Sequence, residues 1–335
     1  EFFIHNPGAY DIDGDSLAYK LVVPFQYPGI VVPGYLDPDD RTFCTDTDVF
    51  QINTFNGDVT WEDPSCTEGI YNIAILITEY RNGIKMGTIL RDMQIFVNKT
   101  SNHAPEIAEL NDTCVYAGEE LNILVTATDP DVLQTITLTA TGGPLYIDES
   151  PAEFFSTPNE GSVNGTFTWQ TICNHVRKEV YEVVFKAEDD FQIGFEEIPL
   201  VDLETWLITV VAPPPVILDA VPTANEITVT WQDPYICSGA DNFLGFSVWR
   251  KIGCDSTVFD KCQRGLSGMG YDSLAFVEDA YSYVDLAVDY GQEYAYRIVA
   301  EFGERSDIAP DFVYNQVPGA PSDAVCAELK RDIPI

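Results

Sequence analysis

Residues 71–77 read Tyr-Asn-Ile-Ala-Ile-Leu-Ile, and this stretch of the 335-residue chain decides its fold class. It is short and rich in β-branched and aromatic residues, which favour strands. Residues 226–231, Glu-Ile-Thr-Val-Thr-Trp, form a second run of this kind, and Gly, Pro and Asn-Gly turn signals separate such runs along the chain. No segment has a convincing helical period. The sequence therefore predicts an all-β protein made of β-sandwiches.

The chain contains an internal repeat around this strand. Residues 57–61, Gly-Asp-Val-Thr-Trp, match residues 165–169, Gly-Thr-Phe-Thr-Trp, and the Tyr-led strand at 71–79 matches residues 181–189. An acidic turn precedes each copy of this pair. The same order occurring twice predicts two copies of one sandwich, with Trp61 and Trp169 as equivalent core residues.

Two polar or proline-rich stretches predict the domain boundaries. Residues 98–105 form a polar linker that ends at a proline, and residues 213–215 are three prolines, which make a short, extended spacer. We therefore expect sandwiches at 1–102, 103–212 and 213–335, arranged in series as an elongated molecule. The first is expected to be incomplete at its N-terminus, because residues 1–5 read as a strand entered part-way and not as a signal peptide.

The composition excludes several classes of function. The formal net charge of −37 argues against nucleic acid and anionic membrane surfaces as partners, since both require basic patches. It is compatible with cation binding or with a self-repelling surface protein. No apolar run is long enough for direct membrane insertion. The three histidines lie in different contexts, and no Gly-x-Ser-x-Gly, His-Glu-x-x-His or phosphate-binding loop is present. We expect no enzyme.

The eight cysteines include no Cys-x-x-Cys pair, so disulfides formed in an oxidising compartment are favoured over a zinc site. Free buried thiols are the alternative. Eight cysteines permit 105 connectivities, and proximity within the expected domains is the basis for choosing among them. The expected pairs are Cys44–Cys66, Cys114–Cys173, Cys237–Cys326 and Cys254–Cys262.

Two acidic turns are candidate cation sites. Residues 11–17 read Asp-Ile-Asp-Gly-Asp-Ser-Leu, and residues 127–131 read Ala-Thr-Asp-Pro-Asp. Carboxylates at alternating positions around a turn can place several oxygens about one ion, and Ca²⁺ takes 6–8 oxygen ligands. Asp and Gly are also favoured in ordinary solvated turns for backbone reasons. Calcium sites and plain turns are both compatible with the pattern.

The last third of the chain resembles a fibronectin type III module. The likeness is carried by residues 226–231 with Trp231, by 244–251, and by the Gly-x-Glu-Tyr strand at 290–300. It implies that the Tyr294 hydroxyl bonds back to upstream backbone as a tyrosine corner. Residues 254–271 look like an insertion into this module.

The first two modules resemble cadherin-like and immunoglobulin-like repeats, through the acidic turns and the boundary Asn-His-Ala-Pro at 102–105. The resemblance implies calcium at domain junctions, although the linker 98–102 contains a Lys and no carboxylate, so a single-ion site within a module stays open. A neighbouring acidic strand end at 188–190 either completes the second site or is a plain acidic loop. The implied ligands are Asp11, Asp13 and Asp15 towards an upstream module, Glu79, Asn102, Asp129 and Asp131 at the first junction, and Asp189 completing the Asp129 and Asp131 site.

The whole series is similar to large surface proteins of gliding Bacteroidota that leave the cell by type IX secretion. Residues 6–17, 79–83, 91–95 and 328–332 carry this likeness. It implies an extracellular, outer-membrane-associated stalk, filament or adhesin, whose partners are other domains of the same long chain, surface proteins or glycans. The alternative is a set of glycan- or protein-binding modules. Trp249 alternates away from its apolar neighbours and is the residue we expect to be exposed for that role.

Overall fold

The computed structural model describes residues 2–39, 49–62, 64, 68–193, 196–306 and 312–330. Strands dominate this part of the chain, and short 3-10 turns occur at Gly143–Leu145 and Cys173–His175. The predicted all-β class with several sandwich sheets is confirmed. The chain forms two compact units. The first comprises Glu1–Thr113, Glu120–Gln170 and Tyr181–Ile208, and the second comprises Cys114–Glu119, Thr171–Val180 and Thr209–Ile335.

The first sandwich lies in the first unit. Its strands are β1 (Phe3–His5), β2 (Ser16–Val22), β3 (Phe25–Tyr27), β4 (Ile30–Val31), β5 (Val49–Ile52), β6 (Val59–Glu62), β7 (Gly69–Arg81) and β8 (Ile84–Val97). The sheets have the orders β1-β6-β5 and β2-β7-β8, and β3 pairs with β4. Alternate residues of β7, including Tyr71, Ile73 and Ile75, are buried against Trp61 of β6. Successive side chains of a strand point to opposite faces of its sheet, so these residues form the core between the sheets.

The second sandwich repeats this arrangement with more strands. Its strands are β9 (Glu106–Ile107), β10 (Thr113–Tyr116), β11 (Glu120–Thr128), β12 (Thr135–Gly142), β13 (Glu153–Ser156), β14 (Asn159–Glu160), β15 (Ser162–Gln170), β16 (Tyr181–Glu188), β17 (Gln192–Ile193), β18 (Glu196–Glu197) and β19 (Val201–Val211). The main sheets have the orders β10-β19-β16-β12-β14 and β13-β15-β11-β9. Trp169 meets Tyr181 edge-on at 4.9 Å between ring centroids, and Trp61 meets Tyr71 in the same way at 4.8 Å. The equivalence of these residues in the internal repeat is confirmed.

The third sandwich lies in the second unit. Its strands are β20 (Ile217–Pro222), β21 (Ile227–Trp231), β22 (Phe243–Ile252), β23 (Asp272–Val277), β24 (Ser282–Asp285), β25 (Glu293–Arg305), β26 (Val313–Pro321) and β27 (Val325–Glu328). The sheets have the orders β20-β21-β24 and β23-β22-β25-β26, with β27 also on β25. Trp231 packs on Phe246 across the core, at 5.4 Å between ring centroids. The buried Tyr294 hydroxyl accepts a hydrogen bond of 3.0 Å from the Asp289 amide. The expected bond to upstream backbone is confirmed.

The insertion at 254–271 is packed onto the sandwich. Leu266 and Tyr271 are buried against Ala295 and Val299 of β25, and Trp249 packs against the same cluster. The Trp249 indole also donates to Ser247 Oγ at 2.7 Å. The prediction that Trp249 is exposed is wrong, because the insertion covers part of its ring.

Arg297 anchors the insertion from the interior of the sandwich. Its side chain is 1% exposed. The guanidinium donates to the Tyr271 hydroxyl at 2.8 Å, to Ser322 O at 2.6 Å and to Thr257 O. It also lies over the Phe259 ring, 4.6 Å from the centroid. A buried cation needs such partners, so the insertion is part of the folded core and not a loose loop.

The cysteines form disulfides, but the three predicted pairings within the described residues are wrong. Cys44 and Cys66, the fourth predicted pair, lie outside the described residues. The observed pairs are Cys114–Cys262, Cys173–Cys237 and Cys254–Cys326. The two Cα atoms of these pairs lie 5.4, 5.4 and 5.5 Å apart, respectively.

Sheet pairing and loop packing explain the actual connectivity. Gly253 bridges to Tyr294 of β25, and Ala295 next to it pairs with Cys326, so β25 brings Cys254 and Cys326 together. The insertion then carries Cys262 to Cys114 instead of folding back on Cys254. Proximity in sequence predicted neither contact.

Candidate cation sites

The first acidic turn lies between β1 and β2. Its amide at Asp15 donates to Asp11 Oδ1 at 2.9 Å, and Gly14 supplies the positive φ of 73° that the turn requires. Because β2 pairs with β7, Leu17 lies opposite Glu79. One ligand oxygen from each of Asp11, Asp15 and Glu79 therefore lies within 4.8 Å of the others.

The grouping of Glu79 differs from the expectation. We expected Glu79 to join Asn102, Asp129 and Asp131, and instead it faces the turn of its own sandwich. Burial raises the pKa of Glu79, its hydrogen bond with Asp15 adds to the rise, and the charges of Asp11 and Asp15 raise it further. Carboxylates held this close need a positive charge nearby.

Arg81 supplies that charge. Its Nε and Nη2 donate to both oxygens of Asp15 at 2.7–3.0 Å, and Nη2 also reaches Asp13 Oδ2 at 3.0 Å. The Asp15 side chain is fully buried beneath this fork, whereas the Asp13 side chain is 60% exposed. A guanidinium already neutralises the carboxylate that would be the central ligand of an ion. The sequence reasoning missed Arg81, although it follows Glu79 by two and thus shares its face of β7.

The second site forms where strands of the second sandwich end. Asp129 follows β11, Asp189 follows β16, and Asn102 lies in the polar linker after β8. Asn102 Nδ2 donates to Asp189 Oδ2 at 2.8 Å, and Asn102 Oδ1 accepts from Gln134 Nε2 at 2.5 Å. Asp131 is turned towards His103, whose backbone amide donates to Asp131 Oδ2 at 2.9 Å. The structure thus brings together four of the five residues that the sequence assigned to this site. The fifth, Glu79, lies at the first acidic turn.

Two buried oxygens at this site accept no hydrogen bond from the described part of the chain. They are Asp129 Oδ2 and Gln134 Oε1. The other Asp129 oxygen accepts from the Asp131 amide at 2.7 Å. A buried acceptor without a donor is costly and is rare in folded proteins. Two of them beside a shared hydrogen-bond network leave acceptor capacity for a positively charged or donating ligand.

The electrostatics of the second site support a cation. Burial raises the pKa of Asp129, the charges of Asp189 and Asp131 raise it further, and the Asp131 amide opposes this. Burial also raises the pKa of Asp189, against the hydrogen bonds donated by Phe191, Asn102 and Leu200. Among the described residues no Lys or Arg forms an ion pair with Asp129 or Asp189. The second site therefore offers carboxylate and amide oxygens, which are ligands of the type that a hard cation takes, although among the described residues only Asp11, Asp15 and Glu79 form a close three-carboxylate cluster. Sequence reasoning missed Gln134, whose position just before β12 gives no signal of its own.

A third acidic group in the first unit is held by an amide. Asn6 Nδ2 donates to Asp58 Oδ1 at 2.8 Å and to Glu182 Oε1 at 3.2 Å, and Thr205 Oγ1 donates to Asp58 Oδ1 at 2.8 Å. Burial raises the pKa of Glu182 to about 8, the Asp58 charge adds to the rise, and the Asn6 hydrogen bond opposes it. The partners come from both sandwiches of the unit, so no local sequence pattern announced them.

No protein-family model matches this sequence, and no curated protein matches it. Among solved structures, the chain is similar to cadherin-like domains 1 to 4 of zebrafish RET, with 9% identity, a TM-score of 0.21, and coverage of 95% of this chain and 66% of that one. It is also similar to human CDH23 EC21-23, with 15% identity, a TM-score of 0.24, and coverage of 92% and 88%. Similarity at these scores indicates nothing about function. Among the described residues, no helix is both long and apolar enough to span a membrane.

Proposed function

We propose that this chain is a non-catalytic structural segment of an extracellular protein and that its second unit transmits load through disulfides. The supporting observation is the connectivity of that unit. Cys114–Cys262 closes a loop of 148 residues, and Cys254–Cys326 closes one of 72 residues. The two loops overlap, because Cys254 precedes Cys262. A pull across Cys114 and Cys326 is then carried by covalent bonds before most of the backbone between them can extend.

Non-covalent contacts within the second unit accompany these disulfides. Lys261, next to Cys262, pairs with Glu119 at 2.8 Å and lies 4.9 Å from the centroid of the Tyr116 ring. Arg264 donates to Lys178 O at 2.9 Å, and Asn242 Nδ2 donates to Val176 O at 2.7 Å. Exposed ion pairs add little stability alone, so the disulfides are the main restraint and these contacts align them.

Replacing one disulfide tests this role. In the chain-entropy estimate, closing a loop of 148 residues stabilises the fold by about 5 kcal/mol, and measured values are usually lower. We expect the variant Cys114→Ser with Cys262→Ser to lose about 2–5 kcal/mol in urea unfolding under oxidising conditions. Unfolding of both proteins with excess reductant is the control, in which the difference disappears. Equal stability under oxidising conditions would refute the role of this bond.

We also propose that the second acidic site binds calcium. Asp129 Oδ2 and Gln134 Oε1 are the buried oxygens that lack donors, and rotation of Asp131 and Asn102 would supply two more. Bound calcium would supply the positive charge that these oxygens lack and would join the linker to the strand ends. The first acidic site is the weaker candidate for calcium, because Asp15 already forms a salt bridge with Arg81.

Thermal unfolding in calcium or EDTA tests the calcium proposal. At about 5 mM calcium and a dissociation constant of about 0.1–1 mM, binding stabilises the fold by roughly 1–2 kcal/mol. We expect this gain to vanish in Asp129→Asn and to persist in Asp148→Asn, an exposed control. A gain of equal size in Asp129→Asn would place the ion elsewhere.

The sequence resemblance supports a more specific location. We propose an outer-membrane-associated surface protein of the gliding or adhesion type, with fibronectin-like and cadherin-like modules in series. Its partners would be further domains of the same chain and other surface molecules. Proteinase K treatment of intact cells tests this location: loss of antibody signal before lysis is expected, and protection until lysis would contradict it.

A further inference from the structure

A groove of about 510 Å³ crosses the first sandwich. Its floor is the outer face of the sheet at β7 and β8, where Asn72 pairs with Gln94 and Ala74 with Asp92. The segment from Pro24 to Pro38 forms its wall. The volume falls within the range of small-molecule sites. None of the candidate cation residues contributes to the lining.

The polar groups of the floor are fixed in position. Gln94 Nε2 donates to Asn72 Oδ1 at 2.9 Å, and the Tyr35 hydroxyl donates to Asn72 O at 3.0 Å. The amide pair therefore leaves the Gln94 side-chain oxygen and further N–H groups available for hydrogen bonds. Asp92 lies beside the pair, and in the described part of the chain no hydrogen bond or ion pair engages its carboxylate. The floor thus presents both donors and acceptors without needing to rearrange.

The rim of the groove is apolar and exposed. Phe25 is 43% exposed, Ile70 is 58% exposed and Leu36 is 60% exposed. All three line the groove. Apolar side chains grouped in this way beside polar ones mark interaction sites. A ligand with an apolar face and several hydroxyl groups would match both the rim and the floor.

We propose that this groove binds a neutral oligosaccharide. The hydroxyl groups of a sugar both donate and accept, and they match the Asn72 and Gln94 amides and the Asp92 carboxylate. The C–H face of a pyranose ring packs on side chains such as Phe25. Among the described residues, the lining contains Asp92 and no Lys, Arg or His, and the chain carries a net charge of −37, so an acidic sugar is repelled. This site is remote in sequence from Trp249 and does not depend on the proposed load-bearing role.

An NMR titration of the isotope-labelled protein with defined sugars tests the proposal. The probes are neutral hexasaccharides of glucose, mannose and xylose, an acidic galacturonate oligomer, and a proline-rich peptide. We expect at least one neutral hexasaccharide to shift the side-chain amide signals of Asn72 and Gln94 saturably below about 5 mM, a range typical of weak binding. The galacturonate oligomer should produce no shift.

Matched variants locate the binding. Gln94→Ala and Asp92→Ala change exposed residues and should each weaken the affinity at least about tenfold, or 1.4 kcal/mol. Gln51→Ala, an exposed residue of β5 in the other sheet, should leave it unchanged. The proposal is overturned if no neutral sugar shifts the two amides, if only the peptide does, or if the groove variants bind as well as the Gln51 control.

Discussion

Pulling the chain from its two ends should show how much backbone the disulfides of the second unit withhold. The loops of 148 and 72 residues overlap by the 8 residues between Cys254 and Cys262, so together they span roughly 212 residue steps. In the oxidised protein only those 8 steps lie on the load path between Cys114 and Cys326. Roughly 204 steps are withheld, which is about 700 Å of contour length at about 3.5 Å per extended residue.

Single-molecule force spectroscopy measures this length directly. With excess reductant, we expect the contour length released between Cys114 and Cys326 to exceed that of the oxidised protein by about 700 Å. The variant Cys114→Ser with Cys262→Ser, pulled under oxidising conditions, provides an intermediate value. Its load path runs through Cys173–Cys237 and Cys254–Cys326 and gains roughly 68 steps, or about 240 Å. An oxidised wild-type protein that extends through the whole of 114–326 would refute the reasoning, as would a variant that gains nothing.

Three further perturbations follow from buried charges. Asp15→Ala leaves Arg81 without its main partner, and we expect the free energy of unfolding in urea to fall by about 2–4 kcal/mol. A fall below about 0.5 kcal/mol, the range of ordinary surface changes, would contradict the role of the Arg81–Asp15 ion pair. Arg297→Met removes the donor to the buried Tyr271 hydroxyl and Ser322 carbonyl and to the partly buried Thr257 carbonyl, and should cost about 3–5 kcal/mol, with a cost below about 1 kcal/mol contradicting its anchoring role. Glu182 has a folded-state pKa of about 8 against 4.5 for an ordinary glutamate, so the unfolded state ionises first. The free energy of unfolding should therefore fall from about pH 4.5 to about pH 8 and then level off for this group. Glu182→Gln should reduce that fall, and an unchanged pH profile would show that Glu182 ionises normally.

The local patterns of the sequence predicted most of the fold. The β-branched and aromatic run at 71–77 predicted the strand that carries Tyr71, Ile73 and Ile75 into the core, and the repeat correctly predicted that Trp61 and Trp169 are equivalent. These features depend on the period of a strand, which any single segment displays.

The disulfide pairing and the environment of Trp249 could not be predicted in this way. Cys262 meets Cys114 because the insertion packs on β25 through Leu266, and this packing is a property of the assembled unit. The same packing covers part of the Trp249 ring. Contacts between residues separated by 148 positions depend on the topology of the fold. The spacing of the cysteines in the sequence therefore does not predict them.

The candidate cation sites also combine features that the local sequence predicts with features that depend on the assembled fold. The acidic turn at 127–131 and the residues Asn102 and Asp189 were found from sequence, and they do meet. The sequence predicts Glu79 at the second site, whereas the register of β2 on β7 places it beside the first turn. Arg81 alters the first site for the same reason. Ligand type is visible in a sequence, whereas the neighbour that neutralises a ligand depends on strand register.

The most direct test of the central claim is peptide mapping of the unreduced protein by mass spectrometry. Digestion without reductant should yield linked peptides containing Cys114 with Cys262, Cys173 with Cys237, and Cys254 with Cys326. Those pairs would establish the covalent load path. A peptide linking Cys254 to Cys262, or Cys114 to Cys173, would contradict the path, because each closes a loop within one segment and leaves the rest of the unit free to extend.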